Sequence, residues 1–465
     1  MGTNYQSTIG TQQHSRPRAL RAYFALLLLL CLGAQSLAAQ AASQTRLVVR
    51  DSLGLTNLLN LCKLVGCAVD RGLGDPSGQL FLVRTPKPLN AVVGLLNVNL
   101  GVISIETDQV VQTQAAEAGP APSYLTDTVP VNYYGTTVWR GYVTQPGNQL
   151  ILTDKTHTAF NTAGANVIVA VIDTGVDPTH PVLKNSLVTG YDFTRGTSGG
   201  SEDADVSQST VAVLDHRTPA KVNQSTVAVL EQSSVAVLDG PQYAAFGHGT
   251  MVSGIVHLVA PQAKIMPLKA FHADGTGYNS DILNAIYYAV NHGAKVINMS
   301  FSYSNSSQEL TNAVNYANSM GVVCVAAAGN DGQRATVYPA ALKNVIDVAS
   351  AGDNDIRSTF SNYGAPPVWL TAPGEGIMTT YPYGTWAAGW GTSFSAPLVS
   401  GATALLMSSG PAPVSLKALL QGNNAKTQAA AALSHAQPIS DRQMGYGRLD
   451  TYQAMQAWRK AMGLK

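Results

Sequence analysis

Three polar residues of the types needed for covalent catalysis stand in short, glycine-containing motifs. Asp173 ends the apolar run VIVAVID, His248 lies in GHGTMVSGIV, and Ser393 lies in GTSFSAPLVSG. A serine hydroxyl becomes a nucleophile near neutral pH when an adjacent base accepts its proton. Histidine can be that base, and a buried carboxylate can hold the imidazole in the required tautomer. Together, the three residues predict nucleophilic catalysis by serine.

Each of these residues also has an ordinary structural interpretation. Asp173 fits a turn, His248 fits the start of a helix, and Ser393 fits a helix N-cap. The DTG at residues 173–175 is also the signature of aspartic peptidases, which need two such carboxylates. No second DTG or DSG occurs in the chain, and that hypothesis leaves the histidine and the serine unexplained. The combined order Asp, His, Ser favours a catalytic set.

Strands and helices are predicted to alternate around these residues. Apolar runs predict strands at Val167–Asp173, Lys264–Ala270, Val296–Ser300, Val322–Ala327 and Val345–Ala349. Helical spacing predicts helices at His248–Leu258, Ser280–His292, Gln308–Met320, Phe394–Ser408 and Thr451–Met462. Continuous apolar strands between helices are typical of a parallel sheet covered by helices on both faces. Ligands bind at the carboxyl ends of the strands in such α/β sheets, which is where Asp173 is predicted.

A smaller domain is predicted upstream, at residues 45–112. The segments RLVVR, QLFLVRT and GVISIETDQVV are strand-like, and leucine-spaced segments between them predict two helices. With a short strand near residues 68–72, the order is β-α-β-β-α-β. Residues 113–160 show no strong periodicity and are interpreted as a linker. Residues 161–465 then form the larger α/β domain.

Residues 1–41 have the pattern of an export signal. Three arginines precede the apolar run Ala22–Ala34, which is too short to span a bilayer as a stable helix, and small residues follow it. We expect cleavage and secretion, to the extracellular space or a periplasm; an uncleaved membrane anchor is the alternative. No other stretch reaches eighteen apolar residues, so no membrane association is expected after cleavage.

Composition and cysteine usage exclude some function classes. Charged residues make up 12% of the chain, and 28 basic against 27 acidic residues give a net charge of +1. That balance argues against nucleic-acid binding, which needs clustered lysine and arginine. Of the cysteines beyond the signal, Cys324 is expected to be buried, while pairing of Cys62 with Cys67 is left open. Their spacing does not match a metal site.

The motifs, taken in order, resemble the subtilisin-like serine peptidases. VAVIDTG, GHGTMVSGI with VAP, INMSFS, VAAAGN and GTSFSAP follow that family's order between about Val167 and Met455. Five ordered motifs are a specific signal, and Asp, His, Ser is the family's order of catalytic residues. The resemblance implies a secreted serine endopeptidase that acts on proteins or peptides.

The resemblance also implies a role for each residue that matches a motif. Ser393 would attack the scissile carbonyl, His248 would accept its proton and pass it to the leaving amine, and Asp173 would orient His248. Asn330, from VAAAGN, would stabilise the oxyanion together with the backbone N–H of Ser393. An inactive interaction protein with the same fold is the alternative, and the presence of all four residue types argues against it.

The substrate is expected to lie extended and to pair with backbone segments of the enzyme. The resemblance implies the following substrate-binding residues: Gly275, Gly277, Ser300, Phe301, Ser302 and Gly329. The chain departs from many family members after INMS, where it has Phe301, Ser302 and Tyr303 instead of Leu-Gly-Gly, so side chains replace glycines that line the specificity pocket. No preference for large apolar side chains is therefore carried over.

A second departure concerns metal. Many family members hold a calcium-binding loop between the His motif and VAP, but only SGIVHL lies there in this chain. No cofactor is therefore expected, although calcium elsewhere stays possible. Asp177, Asp203 and Asp205 could bind a cation, and solvated loop acids are the favoured interpretation.

The resemblance extends to the upstream domain, because the family's inhibitory propeptides share the β-α-β-β-α-β pattern. Residues 45–112 are therefore predicted to assist folding and to act as an intramolecular inhibitor until the chain cleaves itself within residues 113–160. The alternative is a permanent accessory domain, since this part of the resemblance rests on fold pattern alone.

An octapeptide repeat interrupts the larger domain. Copies begin at Gln208, Gln224 and Gln232, so the insertion spans residues 208–239, between Asp173 and His248. Long insertions in a surface loop cost little stability. One hypothesis is a small β-rich flap beside the active site that contacts substrate or a partner. The other, slightly favoured, is a tandem duplication tolerated at the surface.

Overall fold

The structure is a computed structural model. It describes residues 44–97, 101–113, 119–206, 227–229, 241–364, 368–410 and 425–463. The predicted export signal and most of the octapeptide repeat lie outside the described residues. Within those ranges, no helix is both long enough and apolar enough to cross a membrane.

The N-terminal unit is a four-stranded antiparallel sheet of order β2-β3-β1-β4 with two helices. Its elements are β1 (Thr45–Asp51), α1 (Leu55–Val65), β2 (Ala68–Gly72), β3 (Leu80–Thr85), α2 (Leu89–Asn97) and β4 (Val102–Thr107). Side chains alternate between the faces of a strand. Leu47 and Val49 accordingly pack with the helices, while Val48 packs against the larger domain. The predicted β-α-β-β-α-β order is confirmed.

A disulfide joins Cys62, in α1, to Cys67, immediately before β2. The sequence left this pairing open. Cys324 is fully buried, as expected, and burial raises the pKa of its thiol to about 12.

The last predicted strand of this unit, residues 101–111, is divided in two. After β4, the chain turns at Asp108 and continues as β5 (Val110–Gln112), which leaves the small sheet. β5 pairs antiparallel with β13 (Thr276–Tyr278) of the larger domain. A single strand was predicted because the apolar residues continue through the turn.

Residues 113–160, predicted to be a linker, are folded from Ser123 onward. A 3₁₀ turn at Ser123–Thr126 is followed by β6 (Pro130–Tyr133), β7 (Thr136–Trp139), α3 (Arg140–Thr144), α4 (Pro146–Leu150) and α5 (Thr153–Phe160). Tyr142 and Ile151 are fully buried in the main hydrophobic core. The elements are four to eight residues long, which is too short for a periodic pattern to stand out.

The larger domain is built on an eight-stranded sheet of order β10-β9-β12-β8-β14-β15-β16-β17. Neighbouring strands are parallel, except that β9 and β10 are antiparallel. The strands are β8 (Ile168–Asp173), β9 (Tyr191–Asp192), β10 (Thr197–Ser198), β12 (Lys264–Lys269), β14 (Val296–Met299), β15 (Val323–Ala327), β16 (Val345–Ala351) and β17 (Leu370–Pro373).

Helices cover both faces of this sheet, which confirms the predicted α/β fold class. On one face lie α6 (His248–Val259), α9 (Thr392–Ser408), α10 (Ala425–Leu433) and α11 (Thr451–Ala461). On the other lie α7 (Asn279–Asn291) and α8 (Gln308–Ser319). Along β8, Val169 and Val171 face the first layer, and Ala170 and Ile172 face the second.

A second, antiparallel sheet of the larger domain includes one strand from the repeat. Its strands are β11 (Val227–Val229), β18 (Ile377–Tyr381) and β19 (Thr385–Gly389), with β19 in the centre. The repeat pairs Val227 with Gly389 and Val229 with Ala387. Because β19 leads directly towards α9, this strand of the insertion lies beside the polypeptide that carries Ser393.

Candidate active site

Asp173 and His248 are brought together by the end of a strand and the start of a helix. Asp173 is the last residue of β8 and is 2% exposed. A hydrogen bond of 2.7 Å joins its Oδ1 to Nδ1 of His248, and the same oxygen accepts the N–H of Thr174 at 2.8 Å. His248 begins α6 directly after Gly247, whose φ of 87° is a left-handed conformation that favours glycine.

Ser393 lies in the first turn of α9, two residues after another constrained glycine. Gly391 has a φ of 146°, and a methyl group placed on it would lie 3.1 Å from Oγ of Ser393 and 3.3 Å from Nδ2 of Asn330. The hydroxyl and the amide nitrogen therefore converge over Gly391. The His248 ring contacts the ring of Phe394 edge-on, with centroids 5.6 Å apart, which places the imidazole beside the residue that follows Ser393.

The backbone carbonyl of Ser393 is held from outside its own helix. Pro397 lies inside α9 and has no N–H to donate to the carbonyl four residues earlier. Oγ of Ser300 donates to that carbonyl instead, at 2.8 Å. Ser300 is itself bonded by the amide of Asn298 at 2.9 Å, and Asn298 is bonded by Ser400 of α9 at 2.8 Å. A buried polar network thus fixes the first turn of this helix.

Asn330 is oriented by the same helix end. Its Oδ1 accepts both the N–H and the hydroxyl of Thr392, each at 2.9 Å, which directs the amide nitrogen towards Gly391. The hydroxyl of Thr392 also accepts the N–H of Gly329 at 3.1 Å. Asn362 braces the loop from behind, since its Oδ1 accepts the N–H of Asp331 at 3.0 Å. No motif in the sequence indicates Asn362, which is distant from Asn330 along the chain.

The predicted substrate-binding residues fall into two groups. Gly275 immediately precedes β13 and Gly277 lies within it, and the backbone of both residues is hydrogen-bonded to the N-terminal unit. Of the other four, Ser300 and Gly329 bond residues at the start of α9. Phe301 is 3% exposed and packs on Phe271, with ring centroids 4.8 Å apart. The structure therefore does not bring all six residues to one open surface.

The loop acids predicted to be solvated are instead bonded by distant residues. Asp177 accepts the N–H of Tyr383 at 2.9 Å, and Asp203 accepts the hydroxyl of the same tyrosine at 3.0 Å. Asp205 accepts from Lys269 at 2.6 Å. Although burial alone would raise the pKa of Asp205, its hydrogen bonds and the charge of Lys269 lower it. In the part of the chain that the structure describes, no group of three or more metal-ligating side chains is assembled.

One buried acid near Asp173 was not predicted. Glu202 is 1% exposed and accepts hydrogen bonds from Thr174 and Thr250, the residue after Asp173 and the second residue after His248. Its sequence context, GSEDAD, is that of an ordinary acidic loop. Only its burial and its hydrogen-bond partners in the folded chain distinguish this carboxyl group from the neighbouring acids.

The chain is similar to several known proteins. The model of the subtilase family matches residues 164–447. Thermitase from Thermoactinomyces vulgaris is 34% identical over 268 residues, which is 56% of this chain and 81% of thermitase. A thermophilic serine proteinase from Bacillus sp. (strain AK1) is 33% identical over 321 residues, 69% of this chain and 68% of that protein. Fervidolysin from Fervidobacterium pennivorans has a similar fold, with a TM-score of 0.65 and 22% identity over 90% of this chain and 62% of its own.

Proposed function

The chain belongs to the subtilase family, and from this premise we propose that it is a serine endopeptidase with the triad Asp173, His248 and Ser393. The observation that carries the proposal is the convergence of Oγ of Ser393 and Nδ2 of Asn330 over Gly391, beside the hydrogen-bonded Asp173–His248 pair. A nucleophile, a base, an orienting carboxylate and an oxyanion donor are the parts that peptide hydrolysis by serine requires.

In the proposed mechanism, Oγ of Ser393 attacks the scissile carbonyl carbon while His248 accepts the hydroxyl proton. The imidazolium, stabilised by Asp173, then gives that proton to the leaving amine, and an acyl-enzyme remains. Water, activated by the same imidazole, hydrolyses the ester and regenerates Ser393. None of these steps calls for a metal, and we propose that no cofactor takes part.

Asn330 and the N-terminus of α9 are proposed to stabilise the oxyanion. The amide nitrogen of Asn330 and the backbone N–H of Ser393 are the two donors. The helix is 17 residues long, and its N-terminus carries a partial positive charge that favours developing negative charge. Fixation of Asn330 by Thr392 keeps the donor in place before substrate arrives.

We propose further that the N-terminal unit inhibits this site in a precursor. β5 occupies the backbone edge of β13, where an extended substrate is expected to pair, and the N–H of Thr113 extends the pairing to Gly275 O at 2.9 Å. As long as this edge is occupied, a substrate strand cannot use it.

Two carboxylates of the N-terminal unit strengthen this contact at helix N-termini of the larger domain. Asp108 accepts the N–H of Ser280, in the first turn of α7, at 2.7 Å. Glu106 accepts the N–H of Gln308, at the start of α8, at 2.8 Å and the hydroxyl of Ser307 at 2.6 Å. Negative charge at these positions is favourable. The N-terminal unit thus binds the larger domain through specific hydrogen bonds as well as through apolar packing.

The proposed cleavage lies between Thr113 and Gly119, a narrower stretch than residues 113–160. From Ser123 onward the chain is part of the larger domain's fold, with Tyr142 and Ile151 in its core. Cleavage after those residues would remove them from the polypeptide of the larger domain, although they form part of its core. Removal of the export signal and this cleavage would yield the secreted enzyme.

Labelling by a serine-directed fluorophosphonate tests the catalytic proposal. The secreted protein is expected to label and to hydrolyse a casein substrate, and Ser393→Ala is expected to do neither. A folded wild-type protein that never labels would point to an inactive interaction protein instead.

N-terminal sequencing of the secreted protein tests the precursor proposal. We expect a start between residues 114 and 119 for the wild type and retention of the N-terminal unit in Ser393→Ala. If Ser393→Ala were trimmed like the wild type, self-processing would be wrong. If the wild type kept its N-terminal unit and were fully active, that unit would be a permanent accessory domain.

A further inference from the structure

A buried carboxyl group lies directly behind the Asp173–His248 pair. Glu202 opens a 3₁₀ turn, Glu202–Asp205, and is 1% exposed. Its Oε1 accepts the hydroxyl of Thr174 at 3.1 Å and the N–H of Thr250 at 3.0 Å, and its Oε2 accepts the hydroxyl of Thr250 at 2.9 Å. One side chain therefore binds both the loop after β8 and the first turn of α6.

The two threonines are themselves oriented by backbone donors. Oγ1 of Thr174 accepts the N–H of Gly249 at 3.0 Å, and Oγ1 of Thr250 accepts the N–H of Asp177 at 2.7 Å. Each hydroxyl has a single proton, and the geometry directs it to Glu202. The loop after Asp173 and the helix that begins at His248 are thus linked crosswise, with the carboxyl group at the centre of the linkage.

A buried lysine fixes the same loop from its other side. Nζ of Lys269 is fully buried and donates to the carbonyls of Thr174 and Phe271, each at 2.7 Å, and to Asp205 at 2.6 Å. These three acceptors use all three ammonium protons. Glu202 and Asp205 belong to one turn, so a single short segment secures both sides of Thr174.

Keeping a carboxyl group here costs free energy. Burial raises the pKa of Glu202 to about 8, although the bonds from Thr250 and the charge of Lys269 lower it. Burial of an ionisable group is unfavourable unless hydrogen bonds compensate for the lost water. All three hydrogen bonds that compensate Glu202 come from residues next to Asp173 and His248.

We infer that Glu202 is a positioning residue of the active site, one that sets the Asp173–His248 hydrogen bond by holding Thr174 and Thr250. The inference rests on the proposed peptidase function. Glu202 acts through other residues and contacts neither substrate nor Ser393 in this role. Because a displacement of about 1 Å in a catalytic group can cost roughly 100-fold in rate, its loss should reduce turnover more than substrate binding.

The test compares trimmed, secreted variants on a chromogenic peptide. Glu202→Ala removes all three bonds, Glu202→Gln keeps the Oε1 acceptor, and Thr174→Val removes one hydroxyl without touching the buried acid. Asp203→Asn is the matched control, because it changes the next acid of the same turn, whose carboxylate bonds Tyr383 instead. A variant that fails to trim itself is trimmed by tagged wild-type enzyme, which is then removed.

We expect Glu202→Ala to lower kcat by about 100-fold with KM within about twofold of wild type, since the effect is on positioning. Glu202→Gln should recover at least tenfold of that loss, Thr174→Val should lie between Glu202→Ala and wild type, and Asp203→Asn should match wild type. If Glu202→Ala does not fold, the kcat values of Glu202→Gln and Thr174→Val test the inference instead.

Folded Glu202→Ala or Thr174→Val with wild-type kcat would overturn the inference while leaving the peptidase intact. So would a loss that lies wholly in KM, or one that Asp203→Asn shares. A wild-type protein that is itself inert to fluorophosphonate and peptide would instead refute the proposed function.

Discussion

The buried acid Asp347 should make the stability of this protein fall as pH rises through neutrality. Asp347 lies in β16 at 1% exposure, and within the described residues neither carboxylate oxygen has a hydrogen-bond partner. Burial raises the pKa of this carboxyl group from 3.8 to about 7. The folded protein therefore holds a proton that the unfolded chain releases between pH 4 and pH 7, so unfolding becomes easier as pH rises across that range.

The size of the effect follows from the two pKa values. A rise from 3.8 to about 7 corresponds to roughly 4 kcal/mol of unfolding free energy, present below pH 4 and lost above pH 7. Asp347→Asn has nearly the same shape and cannot ionise, so it should lack this dependence. Any cost of the amide group itself is independent of pH and cancels when the two pH values are compared.

Urea unfolding of the full chain at pH 5 and pH 9 measures this difference. Ser393→Ala serves as the background to prevent self-digestion, and the exposed Asp154→Asn is the matched control. We expect the loss of stability between the two pH values to be about 2–4 kcal/mol smaller in Asp347→Asn than in its background. Equal pH dependence in the two proteins would refute the reasoning, whatever their stability at either pH.

Three further results are expected. Burial, with His180 nearby, lowers the pKa of His257 to about 4, so the ionisation of His257 lowers stability as pH drops from 6.5 to 4, opposite in sign to the effect of Asp347; in scanning calorimetry over that range, Tm should change more favourably on acidification in His257→Gln than in its parent. Glu309→Ala removes the main partner of Arg50, whose Nη2 lies 2.6 Å from the Glu309 carboxylate. In the Ser393→Ala chain, this substitution should lower the free energy of unfolding in urea by roughly 3 kcal/mol. A loss below about 1 kcal/mol would contradict this. Asn330→Ala should lower kcat by about 100- to 1000-fold with KM nearly unchanged, a magnitude taken from subtilisin itself. If steady-state kinetics showed a change only in KM, Asn330 would have no role in stabilising the oxyanion.

The sequence was most informative where chemistry and backbone geometry restrict the same residues. Asp173, His248 and Ser393 stand beside glycines, and the structure gives Gly247 and Gly391 positive φ values at the two helix starts. The short strand β17 was not predicted, but five strands and five helices of the larger domain were, because burial imposes a pattern over many residues. Their observed bounds lie within two residues of the predicted ones.

The sequence was least informative where a residue's role depends on distant partners. Glu202 looks like any loop acid until Thr174 and Thr250 are folded against it. Lys269 ends an apolar strand, and no local pattern shows that its ammonium group reaches Thr174 and Asp205. The region after Ser123 was wrongly predicted to be a linker for a related reason. Its helices and strands are short, and they are stabilised by packing against the core of the larger domain.

The pairing of the repeat with β19 has a consequence for changes in repeat number. Val-Ala-Val occurs in all three clear copies, at residues 211–213, 227–229 and 235–237, and the structure pairs the second of these with β19. Each unit has eight residues, an even number, and side chains alternate along a strand with a period of two. Gain or loss of a unit preserves which side chains face the same side. A change in repeat number would therefore leave a Val-Ala-Val tripeptide for β19 to pair with and would change the length of the insertion in steps of eight residues.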